Sequence, residues 1–158
     1  MLAEVGQVET AIEALADHDR CVVVGRGFHY ATAFEWALKI QELTYVLAQP
    51  LSAADLLHGP IAMVAPGFPA LLVATSGPLL EPMADLARRL LDRGAHLVAI
   101  TDRDDFPADR HIVIPACEEW LAPLVAAPAF QAFAYLLAAA KGLDPERPRG
   151  LSKVTRTR

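Results

Sequence analysis

Residues 21–46, CVVVGRGFHYATAFEWALKIQELTYV, decide how the rest of the chain is read. They open on a β-branched run, Val22 to Val24, that stops at Gly25 and Gly27. Such a run suits a parallel strand buried on both faces, with its carboxyl end opening into a ligand crevice. From about Tyr30 to Val46 the pattern becomes helical. Phe34, Trp36, Ala37, Leu38, Ile40, Leu43 and Val46 cover most of the circumference, which predicts a largely buried helix. A strand, a glycine turn and a helix make up the repeating unit of an α/β fold.

The same alternation extends in both directions. Val5, Val8, Ile12 and Leu15 have helical spacing, and the polar ADHDR closes that helix. Beyond residue 46 the sequence predicts a loop, AQPLSAADLLHGP, holding a short helix that Ser52 caps and Gly59-Pro60 ends. A strand in ALLVATSG, a helix in PMADLARRLLDRG, strands in HLVAIT and HIVIP, and a long helix from about Trp120 to Lys141 follow. This order predicts a doubly wound α/β domain, a three-layer sandwich with helices on both faces of a parallel sheet. Residues 1–141 read as one domain and residues 142–158 as a tail.

Composition narrows the function classes. The chain has 158 residues, of which 54% are hydrophobic and 21% charged, and its formal net charge is −5. That length allows one core. The acidic balance argues against nucleic acid as a partner, because no basic face emerges outside the tail. WLAPLVAAPAFQAFAYLLAAAKG reads as too short and proline-interrupted for a membrane span and suits a core helix or a buried partner helix. The acidic start MLAEVGQVETAIEAL does not resemble a signal peptide, so a cytoplasmic location is expected. Cys21 and Cys117 lack metal-ligand spacing and read as reduced core thiols.

Four stretches could carry chemistry. The turn Gly25-Arg26-Gly27 could bring backbone N–H groups to a phosphate, or serve backbone geometry alone. A dinucleotide fingerprint would need a third glycine where Tyr30 stands, which argues against NAD. In the buried helix, Glu35, Lys39 and Glu42 fall at i, i+4 and i+7 in one narrow stripe. That stripe is either a solvated ion-paired face or a crevice wall whose carboxylate works as a general base. His58 falls at a helix end, as a surface residue or as a proton-transfer group near neutral pH. Thr75, Ser76 and Gly77 either contact a phosphate or cap the next helix, and the cap is the expectation. TDRDDFPADRH lacks the glycine and glutamate of a calcium loop and reads as a solvated turn.

Taken together, GRGFHYATAFEWALKIQELTYVLAQPLSAADLLHGPIAMV and DPERPRGLSKVT resemble the second sugar isomerase (SIS) domain of glucosamine-6-phosphate synthase and of SIS-type glucosamine-6-phosphate deaminases. Three signals in order carry the resemblance: ALKxxE, HGP and PRxLxK. It implies a five-stranded parallel sheet and a function in interconverting glucosamine-6-phosphate and fructose-6-phosphate by aldose–ketose proton transfer, with no metal or organic cofactor. LSKVT with SAADLLHGP leans toward the deaminase branch. The resemblance implies that Glu42 is the base moving a proton between C1 and C2, with Lys39 assisting beside it. His58 would help ring opening, reaching its site from a neighbouring subunit. Lys153 would meet the sugar carbonyl and Arg149 would hold the tail; Glu35, Gly25, Arg26, Gly27 and Ser76 would contact substrate.

An unprotonated amine is what attacks a carbonyl, so the cationic neighbours Arg149 and Arg156 would help Lys153 by lowering its pKa. The family's serine- and threonine-rich phosphate loop has only the thin ATSGP in its place, and the chain reads as half of an isomerase. Gln41, Gln49 and Gly150 depart from the residues common at their positions, which touches fine specificity. The implied partners are a sugar phosphate and either a second copy or another SIS domain. The other reading is a non-catalytic sugar-phosphate-binding or regulatory module. On the enzymatic reading, acid, imidazole and amine are expected to converge at the mouth of the sheet, within one chain or across two copies.

Overall fold

The computed structural model describes residues 5–147, 149 and 150. Helix α1 (Val5–Ala16) leads into β1 (Arg20–Gly25), then α2 (His29–Thr44), β2 (Leu47–Ser52) and α3 (Ala53–Leu57). A 3-10 turn over Pro60–Met63 precedes β3 (Pro69–Val73), α4 (Leu80–Asp92), β4 (His96–Thr101), β5 (Arg110–Val113) and α5 (Ala122–Ala140). The five strands form one sheet in the order β2-β1-β3-β4-β5, every neighbour parallel. The expected doubly wound sandwich is present, and the strand order reverses between β1 and β3, where a ligand crevice belongs in such sheets.

The core has two halves because successive strand residues point to opposite faces. Val23, Leu71, Val73, Val98, Ile100 and Ile112 pack against Leu15 of α1, Trp36 and Ile40 of α2 and Phe133 and Leu137 of α5. Val22, Val24, Ala70, Leu72, Leu97 and Ala99 pack against Leu56 of α3 and Met83, Leu86 and Leu90 of α4. Trp36 meets Phe133 edge to face with centroids 5.2 Å apart, joining α2 to α5. Cys21 is buried, and loss of solvation pushes its thiol up to about 12, so it is an inert thiol. Cys117 is also free, but it stands half-buried in the loop before α5 rather than in the core.

Four local expectations change. Residues 47–52, read as part of a loop, form β2, and Pro50 is tolerated because β2 is an edge strand, pairing with β1 alone. The helix after residue 29 is less covered than its composition implies. Tyr30, Phe34 and Leu38 form an exposed ridge along α2, with Tyr30 and Phe34 in edge-to-face contact at 5.0 Å. Pro128 lies inside α5 without interrupting it. By length and composition alone α5 could cross a membrane, but here its inner face packs against α1 and α2.

The amino ends of the sheet are closed by the ends of α1 and α5. Lys141 donates to the carbonyls of Ala16 (2.7 Å) and His18 (2.8 Å), satisfying carbonyls that the end of α1 leaves without helical partners. This bond fixes where the chain leaves α5 and enters residues 142–150.

Candidate functional site

The expected site residues fall into two groups at opposite ends of α2. In a parallel α/β unit the helix after a strand runs back antiparallel to it. The first turn of α2 therefore stands at the carboxyl ends of the strands and its last turn at the amino ends. Between His29 and Glu42 the helix climbs about 20 Å at 1.5 Å per residue. A single chain thus does not bring Glu42 to the mouth of the sheet, contrary to the reading of that helix as a crevice wall there.

The carboxyl-end group contains Gly25, Arg26, Gly27 and Ser76. Gly25 is buried, and a methyl group on it would lie 1.9 Å from the carbonyl oxygen of His29, so a side chain there would block the entry of α2. Gly27 has φ +59° and lies under Leu79, while Arg26 is exposed. The N–H groups of His29 and Tyr30 donate to the carbonyls of Arg26 and Gly27, closing the turn. Ser76 does not cap the next helix: α4 begins at Leu80, and its cap residue Leu79 makes no side-chain bond. Four residues of separation leave Ser76 too far upstream, and its N–H donates instead to Asp102 Oδ1 at 2.8 Å.

Several residues here were not singled out from the sequence. His29 is 5% exposed, its Nε2 is 2.8 Å from the Thr75 hydroxyl and its Nδ1 is 3.3 Å from that of Thr32. Burial lowers its imidazole to about 4, against a smaller upward pull from Asp102, so the ring is neutral near pH 7. The Glu119 carboxyl group lies beside Gly77, its carbon 3.5 Å from where a methyl on that glycine would be. Asp102 and Glu119 thus give the crevice an acidic lining next to the Gly25–Gly27 turn. Spacing gave no signal for either, because they come from loops after different strands.

The amino-end group contains Lys39, Glu42 and Arg149. The Lys39 ammonium donates to Glu42 Oε2 at 2.8 Å, and both side chains are about one third exposed. That bond, together with the charges of Glu42 and Glu35, holds Lys39 above the usual lysine range, against the opposing effect of burial. Glu35, exposed, stands two turns earlier in the same stripe, beside a groove lined by Phe34, Leu38, Gln41 and Pro50. On the other side Lys39 rims a groove of about 550 Å³ between α2 and α5, lined by Leu43, Gln131, Tyr135 and Leu136. Beyond Glu42, α2 ends at Thr44, and Tyr45 has φ 61° and ψ 12°, left-handed values that are unusual for an aromatic residue. The Arg149 N–H donates to the Tyr45 hydroxyl at 2.7 Å, and the Arg149 guanidinium sits 4.6 Å from the Tyr45 ring centroid.

His58 belongs to neither group. Ser52 caps α3 as expected, accepting from the Asp55 N–H at 3.1 Å and donating to its carboxylate at 2.6 Å. His58 is the exposed residue that ends α3, next to Gly59 at φ +144°. The short helix it ends follows the edge strand β2 directly, and His58 is open to solvent there. Lys153 lies outside the described residues. Among the described residues no cluster of three or more His, Cys, Asp or Glu side chains is arranged to hold a metal ion. In TDRDDFPADRH Arg103 donates twice to Asp105 within the loop, while Asp109 accepts the Leu97 N–H of β4 and Asp102 that of Ser76.

Comparison with known proteins gives these positions a context. The SIS domain family matches residues 14–141. Glutamine–fructose-6-phosphate aminotransferase (isomerizing) of Thermococcus kodakarensis is 36% identical over 89% of this chain, which spans 24% of that protein. The enzyme of the same name from Pyrococcus horikoshii is 40% identical over 82% of the chain and 22% of its own length. Among solved structures, the C-terminal domain of glucosamine-fructose-6-phosphate aminotransferase from Francisella tularensis superposes with a TM-score of 0.81 at 27% identity, covering 89% of this chain and 41% of that one. Glucosamine-6-phosphate deaminase from Thermotoga maritima shares the fold, with a TM-score of 0.73 at 24% identity over 94% of this chain and 44% of that one. The chain therefore spans about a quarter of the curated relatives it matches, and with the family model covering most of its length, it belongs to the SIS domain family.

Proposed function

We propose that this chain is the phosphosugar-handling SIS domain of an aminosugar-phosphate isomerase or deaminase, one half of a two-SIS-domain enzyme. Its substrates are glucosamine-6-phosphate and fructose-6-phosphate. The observation that carries this reading is the Lys39–Glu42 pair, at 2.8 Å on an accessible stripe of α2, one helical turn from the residue that holds Arg149. The isomerising relatives at 36% and 40% identity support this substrate class. The deaminase shares the fold alone.

In this reading the Glu42 carboxylate takes a proton from the carbon next to the sugar carbonyl or imine. The electrons pass into an enediol-like intermediate, and the proton returns to the neighbouring carbon. Lys39 remains an ammonium, held so by Glu42 and Glu35, and stabilises negative charge that develops beside it. Lys153 meets the carbonyl. The phosphate is held elsewhere, since the crevice of this chain stands about 20 Å from its own Glu42. Its holder is the carboxyl-end crevice of a second SIS domain, either a second copy of this chain or a partner, whose exposed His58 or equivalent faces the shared site. The exposed apolar ridge of Tyr30, Phe34 and Leu38 gives such a pairing surface to bury. A cytoplasmic location accords with this chemistry.

The test is isomerisation in deuterated water by the assembled enzyme, with solution mass measured with and without sugar phosphate. Glu42→Gln should abolish deuterium incorporation at C2 and retain sugar-phosphate binding. Undiminished incorporation in that variant would remove Glu42 as the base. Binding without any exchange by the unsubstituted, assembled enzyme would favour the non-catalytic module instead; the same result from the chain alone is also what a domain lacking its other half would give.

A further inference from the structure

Tyr45 is an unexplained residue in an unfavourable place. It caps α2 in the left-handed region, where glycine or asparagine ordinarily stands because a Cβ crowds the following carbonyl. The cap itself does not call for an aromatic ring. The Tyr45 N–H donates to the Gln41 carbonyl at 3.1 Å, a bond any residue but proline could make. Its neighbour Thr44 is buried and pins the helix end by donating to the Ile40 carbonyl at 2.6 Å and accepting the Val46 N–H at 3.3 Å. The turn at residue 45 is thereby forced outward, and the Tyr45 side chain stands 40% exposed, contributing little to the core.

What the ring touches is the start of the tail. The backbone N–H of Arg149 donates to the Tyr45 hydroxyl, and the Arg149 guanidinium covers the ring face. Two unlike contacts, one to a hydroxyl and one to a π face, join residues 104 positions apart in sequence. Each alone is weak at an exposed site; together they fix both the backbone and the side chain of one residue. We propose that Tyr45 is a positioning residue: it clasps Arg149 and sets the origin from which the basic tail must reach, at the Glu42 end of α2. Four residues on, the covalent chain allows Lys153 no farther than about 14 Å from Arg149. The proposal rests on the roles given above to Lys153 and Glu42, but its test reads the clasp directly.

Two substitutions separate positioning from structure. Tyr45→Asn suits the left-handed backbone and removes both contacts, so the fold keeps or gains stability while Arg149 is released. Tyr45→Phe keeps the ring and loses only the hydroxyl. Trypsin cleavage of the full chain, resolved by peptide, compares the Arg149–Gly150 bond with Arg110–His111 in β5, which requires unfolding of the sheet. In a Lys39→Arg background, which removes the amine 2.8 Å from Glu42 that would otherwise capture the activated carboxyl group, a carbodiimide then couples Lys153 to Glu42, and the yield is read by mass spectrometry. Tyr45→Asn should raise cleavage at Arg149–Gly150 at least fivefold with Arg110–His111 unchanged, and lower the Lys153–Glu42 coupling at least fivefold. Tyr45→Phe should fall between. Equal cleavage at Arg149–Gly150 in all three proteins, or coupling that is absent from the parent or indifferent to residue 45, would overturn the proposal. Failure of the isomerase assay alone would leave these ratios standing and fall on the proposed function instead.

Discussion

Acidification below pH 6.5 should destabilise the fold through His29, by an amount the structure sets. An unfolded histidine titrates near 6.5, and burial lowers the folded ring to about 4. The native state therefore resists a proton that the unfolded state accepts. With the folded value depressed, the stabilisation is complete above pH 6.5 and is lost as pH falls from 6.5 through 4. The difference of 6.5 and 4 corresponds to about 3 kcal/mol in full, and about 2 kcal/mol of it is gone by pH 5. Against a typical domain stability of about 5–15 kcal/mol that is a large fraction. Both ring nitrogens already have hydroxyl partners in Thr32 and Thr75, which can donate or accept, so the neutral ring loses nothing by its burial. Urea unfolding followed by tryptophan fluorescence at pH 7, 6, 5 and 4.5 would measure the loss. His29→Gln, a neutral residue with similar reach, should flatten the curve between pH 6.5 and 5. Parallel curves for parent and variant would refute the reasoning. Asp105 does not confuse the window, because Arg103 holds its carboxyl below the usual value and its contribution is lost only below about pH 3.8.

Substitutions at two other positions test the packing that carries the site. Trp36 is fully buried, and its Nε1–H has no hydrogen-bond partner among the described residues. Trp36→Phe removes that orphan donor along with part of the ring, so it should cost less than about 2 kcal/mol, whereas Trp36→Ala should cost about 3–5 kcal/mol, both read from urea midpoints. Lys141→Met keeps the aliphatic stem but leaves the carbonyls of Ala16 and His18 to water. A loss of about 1–3 kcal/mol is expected, with faster amide exchange at the end of α1.

The elements whose residues carry a strong period were legible, and the exceptions have physical causes. Val22–Val24 and the run His96–Thr101 announce buried strands because their neighbours in the sheet leave no polar position open. Strand β2 was hidden because an edge strand needs fewer hydrogen bonds and tolerates Pro50, so its sequence looks like a loop. Ser52 was legible as a cap because the bond it makes is local. Ser76 was not, because its bond runs to Asp102 on the loop after another strand. The stripe of Glu35, Lys39 and Glu42 followed from helical spacing, yet its place at the amino end of the sheet followed from chain direction, which spacing does not express. Tyr45 gave no signal at all. Its partner is 104 residues away and only the closed fold brings them together.

On the proposed function, the split of the candidate site along α2 also constrains what a complete enzyme would look like. A hexose phosphate is smaller than the roughly 20 Å that separates the Gly25–Gly27 turn from Glu42, so no single substrate touches both ends of one α2. On the proposed function, each copy would offer two half-sites: an acid–base face built from Lys39 and Glu42 beside the Tyr45–Arg149 contact, and a carboxyl-end crevice. Pairing that sets the face of one domain against the crevice of another completes one site per contact. A two-fold arrangement of identical copies would bring an acidic crevice, lined by Asp102 and Glu119, toward a dianionic phosphate. Electrostatics disfavours that pairing for the phosphate end of the ligand. A partner domain whose crevice presents N–H and hydroxyl donors in place of those carboxylates would carry no such cost. The substitution Asp102→Asn with Glu119→Gln distinguishes the two arrangements. If copies of this chain pair with each other, the double variant should bind sugar phosphate at least tenfold more tightly in a calorimetric titration. If another SIS domain supplies the crevice, affinity in the mixed assembly should stay within about twofold, because neither carboxylate then faces the phosphate.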